Sequence, residues 1–110
     1  MHTLDMAHDR EYAVWVAVAM KAAAYYRSVS TEELADRIGV HVETVRRWMR
    51  AQNVLSAEDA SLVASALDIP GDLLMRPPES RERALAMIAA WDGLRGDGLP
   101  PAPPPRRSPS

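Results

Sequence analysis

The sequence predicts an all-α fold, and three observations carry that expectation. Apolar residues make up 47% of the 110-residue chain, enough for a core, yet there are three Trp, three Tyr and no Phe. Such a core is built mainly from Ala, Leu, Val and Met, and alanine supplies helix propensity rather than buried volume. Apolar residues recur at three- and four-residue spacing, and no segment joins β-branched alternation to a hairpin dipeptide such as Asn-Gly or Asp-Gly.

The first helix is expected from about Asp5 or His8 to Arg27, with Val16, Met20 and Ala23 at i, i+4 and i+7 forming one apolar stripe. Ser30 with Glu33 reads as a capping box that opens the second helix, each side chain satisfying a free N–H of the first turn. That helix turns Leu34, Ala35 and Ile38 inward and stops at Gly39, a residue suited to the left-handed backbone of a helix end. A third helix runs from about Val42 to Arg50, with Val45 and Trp48 on its inner face. Ser56 with Asp59 caps a fourth, which buries Ala60, Val63, Ala64 and Leu67. Pro70 begins a short fifth helix around Gly71–Met75, and Pro77-Pro78 punctuates the chain.

A sixth helix follows from about Ser80 to Leu94, with Leu85, Ile88 and Trp91 as anchors. From Gly96 onward the chain is mostly Gly, Pro and Ser with two Arg, and with too few apolar side chains to offset ordering entropy. The expected organisation is therefore a domain over 1–76, a C-terminal helix over 77–95 and a disordered Pro-rich tail over 96–110.

Several function classes are excluded. With no cysteine there is no disulfide or thiolate metal site. His2, His8 and His41 lack metal-ligand spacing, and no cofactor motif stands out. No Ser/His/Asp set, phosphate-binding glycine loop or paired carboxylate appears, so an enzyme is not expected. Met1 to Arg10 does not form a signal peptide, and the apolar stretch Tyr12–Tyr26 is short, alanine-rich and interrupted by Lys21. No membrane association is expected, and the cytoplasm is the default compartment.

Net charge is −2 but unevenly spread. Residues 31–40 hold three acids and one arginine, residues 41–50 three arginines and one glutamate, and residues 51–76 four acids and one arginine. Positive charge thus concentrates in His41–Arg50, which would form a locally basic face on a nearly neutral domain.

Thr31 to Arg50 satisfies a demanding geometry. Two short helices that cross closely need a small residue facing the partner, and Ala35 is there. The turn needs a residue tolerant of positive φ four positions later, supplied by Gly39; the second helix needs a compact apolar residue six positions on, supplied by Val45. Leu34, Ile38, Val40 and Trp48 fill the flanking core slots.

These residues resemble the Cro/repressor-type helix-turn-helix family, often called the XRE family. The similarity runs without a gap from about Val29 to Leu74 and more loosely back to Val16. It rests on Val29-Ser-Thr-Glu-Glu-Leu-Ala35, Gly39-Val-His41, Trp48-Met-Arg-Ala51, Leu55-Ser-Ala-Glu-Asp59 and the later Ala64-Ser-Ala-Leu-Asp-Ile-Pro70. The chain departs from the family pattern at Thr31 (commonly Gln), His41 (Ser or Thr), Ala51 (Gly) and Leu55 (Pro).

The resemblance implies a five-helix domain that binds double-stranded DNA, with the helix from Val42 entering the major groove N-terminus first. By matched position, Val42, Glu43 and Arg47 would face base edges, with His41 and Thr44 beside them. Arg47 would read guanine O6 and N7, and Glu43 would accept from a cytosine amino group. Arg46 and Arg50 would meet phosphates, with Thr31 and the second helix's N-terminus assisting. A duller reading of the same arginines is a solvated face in which Glu43 pairs with Arg47 at i, i+4.

Two functions stay open on sequence. One is a sequence-specific transcriptional regulator, Cro-like or compact repressor-like, of the phage or mobile-element kind. The other is a protein-interaction module, such as a repressor modulator or an antitoxin, acting mainly on a partner protein. An excisionase-like architectural binder would need a winged hairpin, and no strand pair is visible. Surplus apolar surface on the first and sixth helices either packs together within one chain or builds a homodimer through Trp15, Tyr25, Leu85, Ile88 and Trp91.

Overall fold

The computed structural model describes residues 2–94, with side chains from Arg10 onward. The expected tail over 96–110 lies outside the described residues. Those residues form six helices and no strand: α1 (His2–Arg27), α2 (Thr31–Ile38), α3 (Val42–Met49), α4 (Ala57–Leu67), α5 (Asp72–Met75) and α6 (Arg81–Leu94). Among them no helix is long and apolar enough to cross a membrane.

The central element is α1, which begins at His2, earlier than its periodicity suggests. Val16, Met20 and Ala23 are buried as expected, but so are Ala17, Ala19, Ala22 and Ala24, so burial extends well beyond one stripe. The reason is that α1 packs against α3, α4 and α5 as well as α6. Small alanine side chains let these neighbours approach the helix closely, at the expense of buried volume per residue. Near the start of the described side chains, the Tyr12 hydroxyl donates to the Leu74 carbonyl at 3.2 Å and so ties α1 to the end of α5.

The N-termini follow the sequence signals with one difference. Ser30 Oγ accepts from the Glu33 N–H at 3.0 Å, and Ser56 Oγ accepts from the Asp59 N–H at 3.0 Å. The Glu33 carboxylate, expected to reach back to Ser30, instead accepts from Arg37 Nη2 at 2.9 Å. An arginine one turn later on the same helix face offers a charge-assisted partner, which outcompetes the neutral backbone N–H.

Four helix ends share one device. Ser28, Gly39, Ala51 and Asp68 have φ of 56°, 77°, 58° and 54°, and each is followed by a residue whose N–H bonds back five positions. Those bonds are Val29 to Ala24, Val40 to Ala35, Gln52 to Arg47 and Ile69 to Ala64, all 2.9–3.1 Å. The left-handed residue reverses the chain and satisfies an otherwise free carbonyl. Glycine serves at one of these ends; Ser, Ala and Asp hold the same backbone at the others.

The sixth helix shares the core of the preceding five, since Ala84 and Ile88 are fully buried in the same apolar cluster as Met20, Leu34 and Val63. The expected anchors Leu85 and Trp91 are only half-buried, and Ala84 takes the inner position in Leu85's place. A small residue there suits the alanine-rich surface of α1. Ile88 corrects the homodimer expectation: with no exposed surface it is committed to its own protomer's core. Of the other residues named for that contact, Tyr25 is 72% exposed and Trp15 half-buried.

Candidate nucleic-acid interface

The site is built on the crossing of α2 and α3. Leu34, Ala35, Ile38, Val45 and Trp48 are all buried and belong to the one core cluster. Gly39 turns the chain between the helices, its N–H bonding the Ala35 carbonyl at 2.9 Å. The inner faces of both helices are thereby fixed, so the polar residues between the buried positions of α3 must face outward.

His41 is the N-cap of α3. Its Nδ1 accepts from the Glu43 N–H at 3.1 Å, so Nδ1 carries the lone pair, a role Ser or Thr oxygen fills in the family pattern. The imidazole is otherwise exposed. Thr31, at the first position of α2, and Thr44 are half-buried. Val42 is half-buried and packs against the core cluster.

The arginines of α3 divide into two kinds. Arg46 Nη2 donates to Glu32 Oε2 at 3.0 Å, and Arg46 Nη1 lies 3.8 Å from Glu43 Oε1. Arg50, the C-cap residue of α3, holds its Nη2 3.4 Å from Glu43 Oε2. Arg47 is exposed and pairs with no carboxylate among the described residues. The Glu43–Arg47 pair of the duller reading is not formed: Glu43 turns to Arg46, three positions on, and to Arg50, seven positions on.

Glu32 was not among the sequence-derived site residues. It stands 14 positions before Arg46, and only the crossing of α2 and α3 brings them together. No local spacing signals that contact. The half-buried Arg27, at the end of α1, serves the scaffold, with Nε and Nη2 donating to the carbonyls of Leu67 and Asp68 at the end of α4.

Among the described residues no group of three or more His, Asp or Glu side chains is arranged to hold a metal ion. What the arrangement offers is a helix pair with a rigid inner face and an outer face of arginines and carboxylates. A family model described as helix-turn-helix matches residues 27–74, from the last residue of α1 to α5. No curated protein and no solved structure matches the chain.

Proposed function

We propose that this chain, whose residues 27–74 match the helix-turn-helix family model, is a sequence-specific transcriptional regulator that reads DNA with α3. One observation carries the reading. Ala35, Gly39 and Val45 lock α2 against α3 so that Arg47 stands exposed and uncommitted on the outer face. A guanidinium with free donors is the group best suited to bidentate recognition of guanine in the major groove.

In this reading α3 enters the groove by its N-terminal end, and Arg47 supplies the principal base contact. His41 and Thr44 flank it, and Val42 offers a small apolar surface suited to a thymine methyl. Glu43 acts chiefly by holding Arg46 and Arg50, and a cytosine amino group would have to compete with both. Arg46, Arg50 and Thr31 meet phosphates and set the register. A homodimer would double these contacts on half-sites about one helical turn apart. The remaining half-buried or exposed aromatic residues on α1 and α6 are candidates for such a contact. The site of action would be the cytoplasm.

A second reading is favoured by the carboxylates Glu32 and Glu43 on the same face, which neutralise two of the three arginines of α3 and its C-cap. A module that acts by binding a partner protein would tolerate such neutralisation. Enrichment of randomised duplexes by the purified full chain, followed by polarisation at two salt concentrations, separates the readings. The regulator enriches one sequence and binds it more weakly as salt rises. The interaction module enriches none, binds no DNA at low salt and co-purifies with a partner.

A further inference from the structure

We propose that Glu32 is a built-in competitor for DNA phosphate: it holds the Arg46 guanidinium and so lowers the affinity of the chain for DNA of any sequence. The inference rests on the reading of α3 as the DNA-contacting helix and adds a positioning residue to it.

The geometry is an alternating row across the two helices. Glu32, in the first turn of α2, accepts from Arg46 Nη2 at 3.0 Å. On its other side Arg46 approaches Glu43 at 3.8 Å, and Glu43 in turn approaches Arg50 at 3.4 Å. Two carboxylates and two guanidiniums cancel, and Arg47 lies outside the row.

Sequence-independent binding draws its free energy from phosphates that neutralise Lys and Arg and release counterions. A phosphate that engages Arg46 must take it from Glu32. The carboxylate is then left unpaired beside a polyanion, at the helix N-terminus that would otherwise attract a phosphate itself. Glu33 provides the contrast. It pairs with Arg37 on its own helix at 2.9 Å, and Arg37 is further tied to the Ala66 carbonyl of α4 at 3.0 Å, so that pair joins α2 to the scaffold and stands apart from the row. The competition therefore belongs to Glu32 and is not a general effect of acidity.

The test uses the full chain, a random-sequence duplex pool as probe, and polarisation over a series of salt concentrations. Glu32→Gln is expected to bind the pool about fivefold more tightly at low salt. The slope of log affinity against log salt should steepen by about one, the signature of one more phosphate engaged. Glu33→Gln, the same change in charge, should alter neither quantity, and adding Arg46→Gln to Glu32→Gln should erase the gain. Melting temperatures of the single variants confirm folding. The proposal is overturned if Glu32→Gln binds no more tightly than Glu33→Gln, or more weakly than the native chain. Its fate is separable from that of the regulator reading. A native chain that enriches no sequence, with the Glu32→Gln gain intact, sinks the sequence-specific function and leaves the competition standing.

Discussion

Arg27 closes a two-bonded ion pair on Asp92, with Nη1 2.7 Å from Oδ2 and Nη2 2.6 Å from Oδ1. The same guanidinium donates to the carbonyls of Leu67 and Asp68 at 2.9 and 2.7 Å, so one side chain joins α1, the C-terminus of α4 and α6. Trp91 strengthens the junction, its indole N–H donating to Asp68 Oδ1 at 3.4 Å. The Arg27 side chain is only 19% exposed, and carbonyls at a helix C-terminus favour a cation, so the geometry is more than a surface pair.

Arg27→Met should therefore destabilise the chain by about 2–3 kcal/mol, chiefly by removing the charged hydrogen bonds that tie α1 to Asp92 and to two helix-end carbonyls. Asp92→Asn, which keeps the shape and loses the charge, should cost about 1 kcal/mol. Urea denaturation of the two variants measures both. The hydrogen bond to Asp92 raises the Arg27 pKa above its ordinary value, which outweighs the opposing effect of burial. A raised pKa gives stability that is fully present below the unfolded-state value and lost only as pH climbs through the folded-state value. That window is strongly alkaline, so the arginine should add no slope to stability between mildly acidic and mildly alkaline pH.

Opposite outcomes are expected at two left-handed helix ends. Ala51, at φ 58°, carries a Cβ in a region that costs an L-residue about 1 kcal/mol, while Gly39, at φ 77°, avoids that cost. Ala51→Gly should stabilise the fold by about 0.5–1 kcal/mol and Gly39→Ala should destabilise it by about 1 kcal/mol or more. Shifts of the denaturation midpoint in opposite directions would confirm the pair.

The α2–α3 crossing leaves little room at Ala35, which is 2% exposed. Ala35→Leu forces extra volume between helices already at core density and should cost about 1–3 kcal/mol. It should also weaken DNA binding by more than the loss of folded protein accounts for, because α3 is displaced relative to α2. Comparing active fraction with folded fraction at one temperature checks this.

What the sequence made legible was whatever depends on local spacing. Ala35, Gly39 and Val45 form the corner because helix periodicity alone decides which faces they occupy. Ser30 and Ser56 are equally local signals, since each hydroxyl accepts from a backbone N–H three positions on. Contacts across long separations were not legible: Arg27 and Asp92 are 65 positions apart and Arg46 and Glu32 are 14 apart. Nor does the residue type at 51 or 68 announce a left-handed end, since backbone hydrogen bonds and packing impose that conformation on Ala and Asp. On α6 size and spacing favour Leu85 and Trp91 as anchors, whereas the close approach of an alanine-lined α1 places Ala84 inside.

The central claim is that α3 reads sequence through Arg47. The direct measurement is the affinity of Arg47→Ala for a duplex enriched by the native chain, set against its affinity for a scrambled duplex of the same composition. The account predicts that the ratio falls roughly fivefold to 150-fold, equivalent to about 1–3 kcal/mol of lost discrimination, while the melting temperature holds. An unchanged ratio, or equal weakening on both duplexes, would contradict it.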